Sequence, residues 1–102
     1  MAQIKVMYLG NVYNATGKQM EYFELKDTMT VRRLLFALVE QYGNQFKEAV
    51  MNSSSTIENI WLRVMVGVNG RDINALKGLD TELKDGDSLI FMVPAEGGCQ
   101  RG

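Results

Sequence analysis

Apolar and polar positions alternate at the start of the chain, where Ile4, Val6 and Tyr8 share one face of "IKVMYL" with period two, the mark of a half-buried strand. "GNVYNATGKQ" breaks that alternation with Gly10, Asn11, Asn14, Gly17 and Lys18, all turn formers, and "MEYFEL" from Met20 to Leu25 restores an extended pattern. Two strands joined by a long hairpin loop are therefore expected. The period then changes. Val31, Leu34, Leu35, Leu38, Val39 and Tyr42 fall at i, i+3, i+4, i+7, i+8 and i+11, with Thr30 set to cap the start and Gly43 just beyond the end. This predicts the main helix. "NQFKEAVM" adds a short helical piece, and "NSSSTIEN" from Asn52 to Asn59 reads as a mobile polar loop.

Alternation resumes in "WLRVMVGV", with Val64, Val66 and Val68 on one face of a strand running from Trp61 to Val68. Asn69-Gly70 follows, the dipeptide that best tolerates the positive φ angles of a tight hairpin turn. "LKDGDSLIFMV" turns at Asp85-Gly86 and ends in a last strand carrying Leu89, Phe91 and Val93 in alternation. The order strand, strand, helix, strand, strand predicts an α+β domain: a mixed sheet of four to five strands wrapping one main helix. Residues 1–93 form the domain and 94–102 a flexible tail.

Composition narrows the chemistry. A chain of 102 residues, 46% hydrophobic, holds one core and buries roughly 60–65% of its unfolded surface. No stretch approaches the ~20 apolar residues that cross a bilayer, and the start lacks the continuous apolar run of a signal peptide, so neither a membrane nor secretion is expected. The address expected is cytoplasmic. Cys99 is the single cysteine, which rules out an internal disulfide or a four-cysteine metal or iron–sulfur site. Eleven basic residues against twelve acidic ones leave no excess charge for nucleic acid. Histidine is absent, removing the usual general base and the commonest transition-metal ligand.

Other features have plainer readings. "GNVYNATGK" has six residues between its glycines where a phosphate loop has four, and Gln19 stands where the magnesium-binding Ser or Thr belongs. Asp85 and Asp87 lack the further oxygen ligands of a calcium loop. The seven methionines read as core filling rather than an adaptable surface, Trp61 as a core or partly buried residue, and Arg32 and Arg33 as a solvated helix face.

The remaining motif is terminal. "TVRRLLFAL" on the helix, "VNGRDI" at the hairpin, "GLDTELKDGDSLIFMVP" into the last strand and the pair Gly97-Gly98 together resemble the MoaD/ThiS family of ubiquitin-like sulfur carriers. Molybdopterin synthase small subunits look most similar, and the resemblance runs from Ile4 to Gly98. It implies the β-grasp fold and no enzyme activity in the chain itself.

What the resemblance implies for the tail is specific. The Gly98 carboxylate is joined to AMP by a partner adenylyltransferase of the ubiquitin-activating type, which uses ATP, and a sulfur donor converts the acyl-adenylate to a thiocarboxylate. Adenylation supplies the leaving group that a bare carboxylate lacks. The sulfur passes to an acceptor enzyme such as a molybdopterin synthase large subunit, in molybdopterin-like cofactor, thiamine, tRNA or amino-acid biosynthesis. No cofactor is bound by the carrier itself.

Gly97 and Gly98 suit entry into a narrow channel because no Cβ stands in the way and glycine crosses φ space freely. Pro94 denies the sheet a backbone donor and releases the tail; Pro94, Ala95 and Glu96 are the expected tail contacts with the partner. An exposed apolar part of the sheet, with Phe91 a candidate, is expected to dock.

Family members mostly end at the second glycine, whereas here Cys99-Gln100-Arg101-Gly102 follow. A processing protease cutting between Gly98 and Cys99 is the expected remedy. Two other readings stay open: a protein modifier conjugated through Gly98 to lysines, and a β-grasp binding module with an unreactive tail.

Overall fold

The computed structural model describes residues 2–92. Strand β1 (Ala2–Tyr8) pairs antiparallel with β2 (Met20–Leu25) on one side and parallel with β7 (Ser88–Met92) on the other. β7 in turn pairs antiparallel with β4 (Met65–Val68), which closes a hairpin with β5 (Arg71–Asp72). The five-stranded order is β2-β1-β7-β4-β5, and β3 (Met29–Thr30) with β6 (Glu82–Leu83) makes a separate two-stranded ribbon. The expected mixed sheet is thus present, with the first and last strands parallel at its middle.

One long helix fills the concave face. Helix α2 (Val31–Tyr42) buries Val31, Leu34, Leu35 and Leu38, the stripe its spacing predicted. Thr30 caps it as expected, its hydroxyl oxygen accepting from the Arg33 N–H at 3.2 Å. Gly43, at φ 82°, ends it and starts α3 (Asn44–Val50) in a new direction, a positive φ that favours glycine. Ile4, Val6 and Tyr8 from β1 and Leu89 and Phe91 from β7 join these helices in one core. Between β4 and the edge strand β5, Asn69 and Gly70 take φ values of 54° and 84°, the two positive angles of the predicted hairpin turn.

Two elements differ from expectation. Residues 11–16 are not a hairpin loop but a helix, α1 (Asn11–Thr16), bracketed by Gly10 and Gly17, both at positive φ. Val12 explains it: a single turn buries that side chain completely and sets Ala15, one turn on, partly against the core. Tertiary burial outweighs the weak helix propensity of Asn, Thr and Val. The turn formers Gly10 and Gly17 act as helix ends.

The strand expected from Trp61 begins only at Met65. Upstream, Leu62 makes a single bridge to Met51, and the Trp61 N–H turns aside to the buried Ser55 hydroxyl at 2.9 Å. Trp61 is 66% exposed, so its expected burial is wrong. Arg32 is not a solvated residue either. It ion-pairs with Asp80 at 3.2 Å and donates to the carbonyls of Ile57 and Glu58 at 2.8 and 3.1 Å, pinning the 52–60 loop to the helix. Arg33 does face solvent.

Candidate functional site

Pro94, Ala95, Glu96, Gly97, Gly98 and Cys99, the residues to which the sequence assigns tail chemistry, lie outside the described residues. The structure describes the platform from which they follow: the end of β7 and the sheet surface around it.

Strand parity builds that surface. β7 turns Leu89 and Phe91 into the core, so Ser88, Ile90 and Met92 face outward. The register carries a row across the sheet: Met20 opposite Met7, Met7 opposite Ile90, Ile90 opposite Gly67. One step toward the end of β7, Met92 stands opposite Met65. Among the described residues, no helix covers this outer face.

Phe91, the docking candidate, is a correction. Its side chain is fully buried, stacked on Tyr8 with ring centroids 6.0 Å apart and edge-on to Phe46 at 5.8 Å. A shift of one residue in a strand exchanges the faces, so Ile90 and Met92, not Phe91, face outward.

The methionines correct a second expectation. Met51 is fully buried, but Met20 and Met65 are exposed and Met7 and Met92 half-buried on the outer face. Flexible thioethers there suit an adaptable contact surface. The missed signal was in the last strand: "LIFMV" is apolar on both faces, and one core-facing row does not need both.

The outer face is not flat. Gly67 has no side chain, and a Cβ built there would stand 3.3 Å from the Arg71 carbonyl oxygen and 3.4 Å from Ile90 Cγ2. The result is a dish of about 380 Å³ floored by Gly67 and Ile90, walled by Met7, Met65 and Met92, and edged by Arg71 and Asp72. A second groove of about 500 Å³ opens beyond the end of β1, lined by Leu9, Tyr13 and Gln19 and sharing Met7 and Met20 with the outer face. Both recesses are mainly apolar with few polar groups at the edge, the character of a surface that takes side chains from another molecule.

A polar clamp holds the sheet end from the core side. Glu21 of β2 accepts hydrogen bonds from the Tyr8 hydroxyl at 2.8 Å and from the Tyr42 hydroxyl, and pairs with Lys18 at 3.3 Å. Burial alone would raise the Glu21 pKa, but the bonds from Tyr42, Tyr8 and Lys18 together hold it below the ordinary carboxylate value. Burial, and then the bond to Glu21, push the Tyr8 hydroxyl well above its ordinary value. Tyr8 therefore stays neutral, a fixed donor. The clamp joins β1, β2 and α2 behind the strand that leads to the tail.

The turn carboxylates have structural duties. Asp85 accepts the Gln3 N–H at 2.8 Å; Asp87 accepts the Lys84 N–H at 2.7 Å and the Asn69 side-chain amide at 2.8 Å. They fix the loop entering β7. Nothing in that arrangement leaves them converging on an ion.

A mixed five-stranded sheet wrapped on one helix, with its outer face bare and its last strand leading at the centre into a Gly-Gly tail, defines a ubiquitin-like β-grasp protein. The sequence pattern of the ThiS family matches residues 6–98, and the chain belongs to that family. The match ends at Gly98. Among solved structures, the small archaeal modifier protein 1 of Methanosarcina acetivorans is 27% identical, over 96% of this chain and 98% of that one, with a TM-score of 0.74. The Pyrococcus furiosus protein assigned as molybdopterin converting factor subunit 1 is 28% identical, over 93% of this chain and all of that one, with a TM-score of 0.71. A chain of the Amycolatopsis orientalis BexX/CysO complex, 23% identical over 93% and 99% with a TM-score of 0.65, shares the fold. No curated protein matches by sequence.

Proposed function

We propose that the chain is a sulfur carrier whose working group is the carboxylate of Gly98. The observation that carries this reading is the ThiS-family match, which stops at the second glycine of Gly97-Gly98 and leaves Cys99 to Gly102 outside. In this reading a protease removes the last four residues. A ubiquitin-activating-type enzyme then adenylates Gly98 with ATP, releasing pyrophosphate, and a sulfur donor displaces AMP to leave a thiocarboxylate. The chain is a protein co-substrate, not a catalyst, and works in the cytoplasm.

The bare outer face is the docking surface in this scheme. Its apolar dish over Gly67 and Ile90 adjoins Met92, the last described residue before the tail, so one partner can hold the sheet and take the tail together. Pro94, Ala95 and Glu96 contact that partner along the tail. The acceptor is an enzyme of cofactor, thiamine, tRNA or amino-acid biosynthesis, with a molybdopterin synthase large subunit supported by the Pyrococcus furiosus relative.

A second reading has its own support. The Methanosarcina acetivorans relative is named a modifier protein, and an activated Gly98 attacked by a lysine amine would make this chain one too. Activation is common to both; only the final nucleophile differs.

The test is the intact mass of the protein from its own cells, with fragmentation to read its end. A chain ending at Gly98, partly with sulfur for one carboxylate oxygen, is expected. Branched peptides joining Gly98 to lysines would move the modifier reading ahead, and a chain ending only at Gly102 would defeat both.

A further inference from the structure

The outward positions of the paired strands β1 and β7 are Gln3, Lys5, Met7, Ser88, Ile90 and Met92. Lys5 is the only ion among them. It stands opposite Tyr22 of β2 on one side and Ser88 of β7 on the other, and the residue is half-buried between them. Two residues along β1, about 6–7 Å away, lies the apolar row of Met20, Met7, Ile90 and Gly67.

The carboxylates at this end of the sheet are engaged elsewhere. Asp85 accepts the Gln3 N–H, and Asp87 gives one oxygen to the Lys84 N–H and the other to the Asn69 amide. Glu24, on the same face of β2, stands two residues along, opposite Gln3. Among the described residues Lys5 forms no ion pair. A cation set into such a face keeps its water until something that can replace that water arrives. A surface offering only apolar atoms would strip the water and return nothing, and a basic surface would add repulsion. A carboxylate offsets the desolvation and steers the encounter as well.

We propose that Lys5 decides which surfaces the outer face accepts, selecting an adenylating enzyme that places a carboxylate over the Lys5 ammonium. That carboxylate lies one row of the sheet, about 6–7 Å, from the enzyme's apolar contacts on Met7 and Ile90. This inference rests on the docking reading given above, and goes further by stating the charge the partner carries and the position it takes.

The probe is the ATP-dependent adenylating enzyme of the same cells, titrated with the full chain and with the chain ending at Gly98. Each is used unaltered and as Lys5→Arg, Lys5→Met and Lys5→Glu. Lys5→Met keeps a long side chain and removes the charge, so Kd should rise about tenfold. Lys5→Glu should raise it about 100-fold or more, and Lys5→Arg should stay within about threefold. The affinity of the unaltered chain should fall as salt rises, and that dependence should flatten in Lys5→Met. In steady state the loss should appear as a higher KM for the carrier with kcat unchanged, because Lys5 touches no reacting atom. Melting temperatures should agree within ~3 °C, since no ion pair of the fold is removed. Lys5→Glu binding as tightly as the unaltered chain, in a complex that still releases pyrophosphate from ATP, overturns the role of Lys5 and leaves the Gly98 reading intact. If neither unaltered chain binds, both fall.

Discussion

Tyr8 and Phe91 lie side by side on the paired strands β1 and β7, their rings 6.0 Å apart and within 9° of parallel, both fully buried. The next residues along β7 face the other way. This parity puts core residues and the residues of the proposed docking face on adjacent positions. Phe91→Ala should cost about 3–5 kcal/mol of folding stability, the range for removing a buried aromatic ring. Ile90→Lys should cost about 1 kcal/mol or less, since its side chain reaches solvent, but should abolish measurable binding to the adenylating enzyme. Denaturant unfolding and calorimetric titration of the two variants test this; equal stability losses would contradict the assigned faces.

The Tyr8 hydroxyl ends on Glu21, which sets an acid limit on the fold. The folded pKa of Glu21 lies below its ordinary value of 4.5, so its contribution is fully present above about pH 4.5 and is lost as pH falls through the lower, folded value. Glu21→Gln should remove that part of the acid dependence. At neutral pH it should cost about 1–2 kcal/mol, because an amide is a weaker acceptor for two tyrosine hydroxyls. Urea unfolding midpoints from pH 3 to 7 for both proteins measure the difference, and parallel curves would refute the clamp.

Arg32 supplies a prediction about motion. Its guanidinium holds the carbonyls of Ile57 and Glu58 while pairing with Asp80. Arg32→Ala leaves those carbonyls to water, at a cost of about 1 kcal/mol, and loosens the loop that presents Trp61. Amide exchange should quicken at Ser55, Asn59 and Trp61, which are bonded within this segment. Amides of β1 and β7 should not change.

How far the sequence disclosed this molecule depended on whether one segment decided its own structure. The α2 stripe, the Thr30 cap, Gly43 and the Asn69-Gly70 turn are local signals, and each agrees with the fold. Helix α1 was illegible because its turn formers serve equally as helix ends, and only the burial of Val12 against distant residues decides between them. Trp61 misled for a similar reason. Its hydrophobicity suggests a core, but the bond from its N–H to Ser55 belongs to a loop whose course no periodicity describes. On the outer sheet face, an exposed apolar surface is present, but Phe91 is not part of it; its neighbours Ile90 and Met92 are. Both faces of β7 are apolar, so hydrophobicity alone could not say which was inward; pairing with β1 and β4 does.

Gly67 offers the most direct test of the outer face as a contact surface. Its φ is not in the left-handed region, so a larger residue meets only the tight approach of the Arg71 carbonyl and Ile90. Gly67→Ala should therefore be tolerated at about 1 kcal/mol, with a shift of a few tenths of an ångström in the β4–β5 hairpin. Gly67→Leu places an isobutyl group across the dish walled by Met7, Met65 and Met92. If a partner side chain seats there, binding should weaken at least tenfold with leucine and little with alanine. Stability should fall far less than in Phe91→Ala, which unfolding curves on the same samples report. Unchanged affinity in Gly67→Leu would show that the partner bypasses the dish and grips the chain elsewhere.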